Sequence, residues 1–193
     1  MARSGEHEVK SIMVDLETLG TGVNSCIISI GVVAFDADKG VLASEGWAIR
    51  HQDWHGKKDP DTIKWWMKQN EAAQDYSFGG TTTALTAANG FRDFHAAWGG
   101  DECWANDPDF DIVLLKQWWS RIVAETGWSL GKFPIRYNEG RSFRTLTGEA
   151  KRLGIDYSHI YGSATVAHHP VDDAVNQARV VNYIRNQLVK AAA

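Results

Sequence analysis

Hydrophobic positions along the chain group into short β-branched runs in its first quarter and longer helical spacings after it. Residues 11–17 read as a first strand, an apolar run that ends in Asp15 and Glu17, and Thr18 to Gly22 turns away from it. Residues 26–36 are apolar and β-branched with Gly31 inside them, which suits a long central strand. Residues 46–50 give a third strand after the turn around Asp38, Lys39 and Gly40. The links between these runs are too short for parallel crossovers, so the three form an antiparallel meander.

Helical and strand patterns then alternate. Asp59 and Pro60 open a helix expected over 62–70, with Trp65 and Trp66 on it; one indole is expected to pack inward and the other to stay partly exposed. Residues 83–98 follow as a helix and 101–106 as a short strand. A turn at 107–109 leads into a helix opening near Asp109, which places Asp111 in its first turn, facing the first strand. A strand is expected at 133–137, a helix at 142–153 ended by Gly154, and a loop containing Gly162, Ser163 and Ala164. The last helix runs from about Pro170 to Leu188, with Val171, Ala174, Val175, Ala178 and Val181 at helical spacing. The sum is an α/β fold: a mixed sheet covered by helices.

Length and composition narrow the class. With 193 residues, 44% hydrophobic and 23% charged, the chain suits one globular domain over 1–193, with 1–10 flexible. No apolar run approaches the ~20 residues of a membrane span and the first ten residues lack a secretory apolar segment, so a cytoplasmic location is expected. Cys26 and Cys103, the two cysteines, sit in apolar strand-like settings and read as buried thiols. A net charge of −4 argues against coating nucleic acid through a broad basic surface, though not against meeting phosphates through bound metal. Arg136, Arg141, Arg144, Lys151 and Arg152 form a local basic excess that suits either a solvated helix face or a phosphate backbone.

Candidate chemistry starts from the strand period of two, which projects Asp15 and Glu17 from one face. Adjacent anions at a buried strand end call for a cation between them, although the pair alone also fits a strand running into a polar loop. Asp111 in a middle turn and Asp173 in the last helix add acids at two further sites, and His168 stands five positions before Asp173.

These motifs resemble those of the DEDDh 3′-to-5′ exonucleases. The residues that carry the resemblance are Asp15-Leu16-Glu17-Thr18, Asn106 through Phe110-Asp111, and His168 with Asp173-Ala174 through Ala178. Further segments, Asp15 to Gly22, Asp61 through Trp65-Trp66, and Arg144-Thr145-Leu146, are similar to a bacterial and phage exoribonuclease branch that prefers adenosine-containing RNA. The resemblance implies a ribonuclease H-like fold and two Mg²⁺ or Mn²⁺ ions, about 3.5 to 4 Å apart as in two-metal sites. It implies that Asp15 bridges both ions, that Glu17 and Asp173 hold the nucleophile-side ion and that Asp111 completes the other. His168 is implied as general base, with His169 as the alternative if the loop register shifts; Asp107, Asp109 and Asp172 are neighbours that compete for the acid assignments. Thr18 and Leu19 are implied near the terminal nucleotide, with Trp65 or Trp66 stacking nearby and Phe110 beside Asp111.

The expected activity is removal of nucleoside 5′-monophosphates from the 3′ end of single-stranded nucleic acid, RNA preferred. A DNA-preferring exonuclease, a non-catalytic nucleic-acid or nucleotide-binding module on the same fold, and a metal phosphoesterase acting on free nucleotides or short oligonucleotides are the alternatives. Relatives of this kind are often homodimers, and nine tryptophans leave apolar surface for one.

Overall fold

In the computed structural model, which describes residues 10–127, 129–161 and 166–192, the chain is built outward from its first strand. That strand, β1 (Ser11–Thr18), pairs antiparallel with β2 (Ile27–Asp36), and β2 pairs antiparallel with β3 (Gly40–Ala48). On its other side β1 pairs parallel with β4 (Glu102–Ala105), which pairs parallel with β5 (Gly140–Ser142). The order β3-β2-β1-β4-β5 puts β1 at the centre of a mixed sheet.

Both faces of that sheet are covered, which is why β2 is buried along its whole length. Ile12, Val14 and Leu16 point to one face, where α3 (Ala84–Trp98) and α4 (Asp111–Thr126) supply Phe91, Leu114, Leu115 and Trp118. Met13 points to the other, with Val33 and Phe35 under the last helix, α6 (Pro170–Ala192), which contributes Ala174, Ala178, Val181 and Ile184. By alternation Asp15 and Glu17 share the face of Met13 and so look toward α6. Gly31 on β2 makes the approach of α6 close: a Cβ there would stand 2.6 Å from the Val171 nitrogen and closer still to the Pro170 carbonyl.

A smaller apolar cluster closes the end of the sheet. Leu19, Cys26, Ile28 and Ala73 surround Trp66, the last residue of α1 (Pro60–Trp66). Asp59 caps α1 by accepting from the Asp61 and Thr62 amides, and Pro60 occupies the first turn, where its missing N–H costs nothing. A register shift between Glu17 and Thr18 marks a bulge where β1 leaves the sheet. A further helix, α5 (Phe143–Arg152), starts directly after β5 with Ser142 as its cap and is followed by Gly154 at φ 73°.

The structure departs from the sequence expectations at three places. The strand expected at 133–137 is irregular: Phe133 and Ile135 plug the core beside α4, and β5 takes the position next to β4. The expected helix over 62–70 ends at Trp66, and an unexpected helix, α2 (Glu71–Phe78), follows with Asn70 as its cap. The third strand starts at Gly40 rather than Gly46, because an edge strand keeps exposed residues such as Val41 and Leu42 that break an apolar pattern. Gly162, Ser163 and Ala164 lie outside the described residues, as does nearly all of the segment 1–10. Cys26 and Cys103 are buried free thiols.

Candidate active site

Asp15, Glu17, Asp111 and Asp173 meet His168 in a cleft of about 630 Å³ at the end of β1, and Asp107 lines it as well. Asp15 and Glu17 enter it from the strand, Asp111 from the first turn of α4, Asp173 from the first turn of α6, and His168 from the turn before α6. The five residues expected from the sequence are thus brought together. Ligating atoms of Glu17, His168 and Asp173 all lie within 4.8 Å of one another.

Asp15, Asp111, Asp173 and His168 are each held by a specific contact. The Gln177 side-chain amide donates to Asp15 Oδ1 at 2.9 Å, and Gln177 stands one helical turn beyond Asp173 on the same side of α6. The His168 amide donates to Asp173 Oδ2 at 2.9 Å, and the Asp107 amide donates to Asp111 Oδ2 at 3.1 Å. His168 adopts φ 66°, a left-handed conformation that few non-glycine residues take and that recurs at functional sites. Its ring sits edge-on to Trp65, with centroids 4.7 Å apart. His169 instead lies against Tyr76, with ring centroids 4.1 Å apart, outside the cleft.

The electrostatics of the cleft are unbalanced. Burial, then the charges of Asp111 and Asp173, push the Asp15 carboxyl well above its ordinary range, against the Gln177 hydrogen bond. Glu17 is pushed up to about 10 by burial and by Asp15, Asp173 and Asp111. Burial raises Asp111 to about 7, with Asp107 adding to the rise while its amide and Arg144 oppose it. Burial also raises Asp173. Arg144, 3.7 Å from Asp107, is the cleft's arginine, and it is too exposed to neutralise the buried acids. A cluster of hard oxygen donors that repel one another in a partly dry cleft fits divalent cations of the Mg²⁺ or Mn²⁺ kind.

The neighbours expected at the substrate divide into two groups. Thr18 and Phe110 line an adjoining pocket together with Thr21, Asp59, Asp61 and Trp65. Trp66 and Leu19 do not line it: both are buried, 1% and 2% exposed, in the cluster behind the loop, and the Trp66 indole N–H donates to the Thr18 carbonyl at 2.9 Å. Stacking on Trp66 is therefore corrected to support of Thr18 from within, and the exposed member of the pair is Trp65. Of the competing acids, Asp109 is exposed, Asp172 accepts from the Val166 amide at 2.9 Å, and Asp107 lines the cleft facing Arg144. Leu16, Thr21, Arg144 and Gln177, which also line the cleft, stand in the motif segments read from the sequence without having been named as site residues, and the spacing of four between Asp173 and Gln177 is a usable signal.

Comparison with known proteins bears on the family and the fold. The family described as "3'-5' exoribonuclease Rv2179c-like domain" matches residues 10–185. No curated protein matches the sequence. Among solved structures, exonuclease I from Methylocaldum szegediense superimposes with a TM-score of 0.66 at 11% identity, over 93% of this chain and 41% of that one. The nuclease domain of 3'hExo, a DEDDh family member bound to rAMP, gives 0.57 at 10% identity over 95% of each chain. S. pombe Pop2p in its Mg²⁺ and Mn²⁺ bound form gives 0.58 at 14% identity, over 94% of this chain and 84% of that one. The chain thus spans less than half of the exonuclease I chain, and these likenesses establish the ribonuclease H-like DEDD exonuclease fold.

Proposed function

The chain belongs to the Rv2179c-like 3′-to-5′ exoribonuclease domain family, and from that premise we propose that it is a metal-dependent exonuclease releasing nucleoside 5′-monophosphates from the 3′ end of single-stranded RNA. The observation that supports this most is the convergence of Asp15, Glu17, Asp111 and Asp173 with His168 in one cleft.

Asp15, Glu17, Asp111 and Asp173 would hold the divalent cations. When bound, such ions stabilise charge on phosphoryl oxygens and lower the pKa of water. An imidazole nitrogen of His168 takes the proton of the attacking water, the general-base role that imidazole fills most often. The water oxygen bonds to phosphorus, the bond from phosphorus to the upstream 3′ oxygen breaks, and that oxygen gains a proton. The terminal nucleotide departs with its 5′ phosphate. Trp65 restrains the His168 ring, and the His168 amide fixes Asp173, so the base and one acid are positioned by the same turn.

The pocket beside Glu17 receives the terminal nucleoside. Trp65 and Phe110 offer it aromatic surface and Thr21 a hydroxyl, while the Thr18 hydroxyl donates to the Gly20 carbonyl at 2.7 Å and is left to accept. RNA and DNA strands of one sequence, end-labelled and incubated with Mg²⁺ with free or blocked 3′ ends, test the proposal. RNA should shorten stepwise from a free 3′ end, faster than DNA; internal cleavage of the blocked strand, or equal loss without divalent cation, overturns it.

A further inference from the structure

A second groove of about 650 Å³ adjoins the catalytic cleft and shares Asp107 and Arg144 with it. It runs between the first turns of α4, the irregular segment 133–137 and the start of α5. Lys116 and Arg136 line it together with the aromatic rings of Phe133 and Tyr137. Tyr137 is fully exposed, and Lys116 is exposed: its carbonyl accepts from the Ser120 hydroxyl at 3.0 Å, but its side chain makes no hydrogen bond or ion pair to another described residue. Arg136 is anchored by Glu139 and the Gly100 carbonyl, which fixes its guanidinium at the groove wall.

We infer that this groove is the track for the nucleotides that lie 5′ of the scissile bond. The inference rests on the exonuclease reading and deepens it by naming where the rest of the strand goes. Cations beside an exposed tyrosine and a half-buried phenylalanine suit a single strand, since phosphates meet the cations and bases stack on aromatic rings without sequence preference. Lys116 stands five residues beyond Asp111 on α4, roughly 7 to 8 Å along the helix axis, a reach on the scale of one nucleotide step. Asp107 and Asp109 also line the groove, but Asp107 faces Arg144 and both belong to the turn at the cleft end. The distal wall is left to Lys116, Arg136 and Tyr137. The tyrosine is otherwise unexplained, an aromatic ring wholly in solvent beside an active cleft.

The test compares binding of a dinucleotide and an eight-nucleotide RNA by fluorescence anisotropy, both with non-hydrolysable phosphorothioate linkages, in Ca²⁺, for the full chain and for Lys116→Ala/Tyr137→Ala. The wild type should bind the longer RNA more tightly, and the double variant should lose roughly tenfold of that gain. Its salt dependence should also flatten by about 0.7 in the log–log slope, one phosphate contact fewer. An unchanged ratio in the double variant, or no gain with length in the wild type, overturns the inference. The exonuclease reading is scored separately, by Mg²⁺-dependent hydrolysis of an unmodified dinucleotide by the wild type.

Discussion

Gly31→Ala probes how the fold positions the site, because the change adds one methyl group to the interior of β2 and touches no cleft residue. That Cβ would lie 2.6 Å from the Val171 nitrogen, whereas ordinary contact begins at 3.4 Å. The start of α6 must therefore retreat by about 1 Å, or β2 must bend by as much, in an interior with no slack. Overpacking of this size costs about 1–3 kcal/mol, a fall in Tm of roughly 5 °C for a chain of this length. Asp173 and Gln177 ride on the displaced turn, so the reacting geometry moves with it. A misplacement near 1 Å lowers turnover on the order of 10²-fold. Steady-state hydrolysis of a 3′-labelled RNA gives kcat, and thermal unfolding gives Tm. Gly148→Ala is the control, since a Cβ there meets nothing within 4 Å and an alanine favours the helix. Retained kcat in Gly31→Ala, with or without a lower Tm, would refute the claim that this close approach sets the site.

Other expectations concern the site itself. His168→Ala should slow hydrolysis by roughly 10²-fold or more, as loss of a general base does, while calorimetry shows nearly unchanged cation affinity; the same loss in His169→Ala instead would reassign the base. Cation-free protein should lose thermal stability as pH rises from about 5 to about 8. The sign follows from Glu17 and Asp111, raised to about 10 and about 7, and from Asp15 and Asp173, also raised: their contribution is complete below their ordinary values and lost as pH climbs through the folded ones. Glu102, lowered although partly buried because Trp104 and Arg185 bond it, acts only in the acid range and leaves this window clear. Saturating Mg²⁺ should flatten the slope, and a Tm that stays level without cation would contradict the reading. Trp65→Ala should raise KM for RNA more than Trp66→Phe, whereas Trp66→Phe should lower Tm; the reverse ranking would return Trp66 to the substrate.

Local periodicity made the direction of the acids legible, whereas their assignment to one site came from the resemblance of the motifs. A strand puts Asp15 and Glu17 on one face, and helix starts carry Asp111 and Asp173. The tryptophan pair was legible as one inward and one outward ring, since adjacent helical residues point about 100° apart. Which ring turns inward depends on the Thr18 carbonyl and on Leu19 and Ile28, which the local sequence does not report. Residues 133–137 have strand-like composition, yet Phe133 and Ile135 are drawn into the core beside α4, so tertiary packing overrides propensity. The α2 helix is short and weakly amphipathic, with Asn70 as its only strong local mark. Gln177 was overlooked because an amide inside an apolar helix pattern reads as surface until its partner, 162 residues away, is known.

Counting the Mn²⁺ ions bound per chain by calorimetric titration of the wild type and of Asp15→Asn tests the centre of the account most directly. The isosteric amide keeps the shape of the side chain at the middle of the carboxylate cluster and removes its charge. The wild type should take up two ions, and the variant should lose at least one of them together with hydrolysis of RNA. Equal ion counts and affinities in the two proteins would contradict a cluster assembled to hold cations.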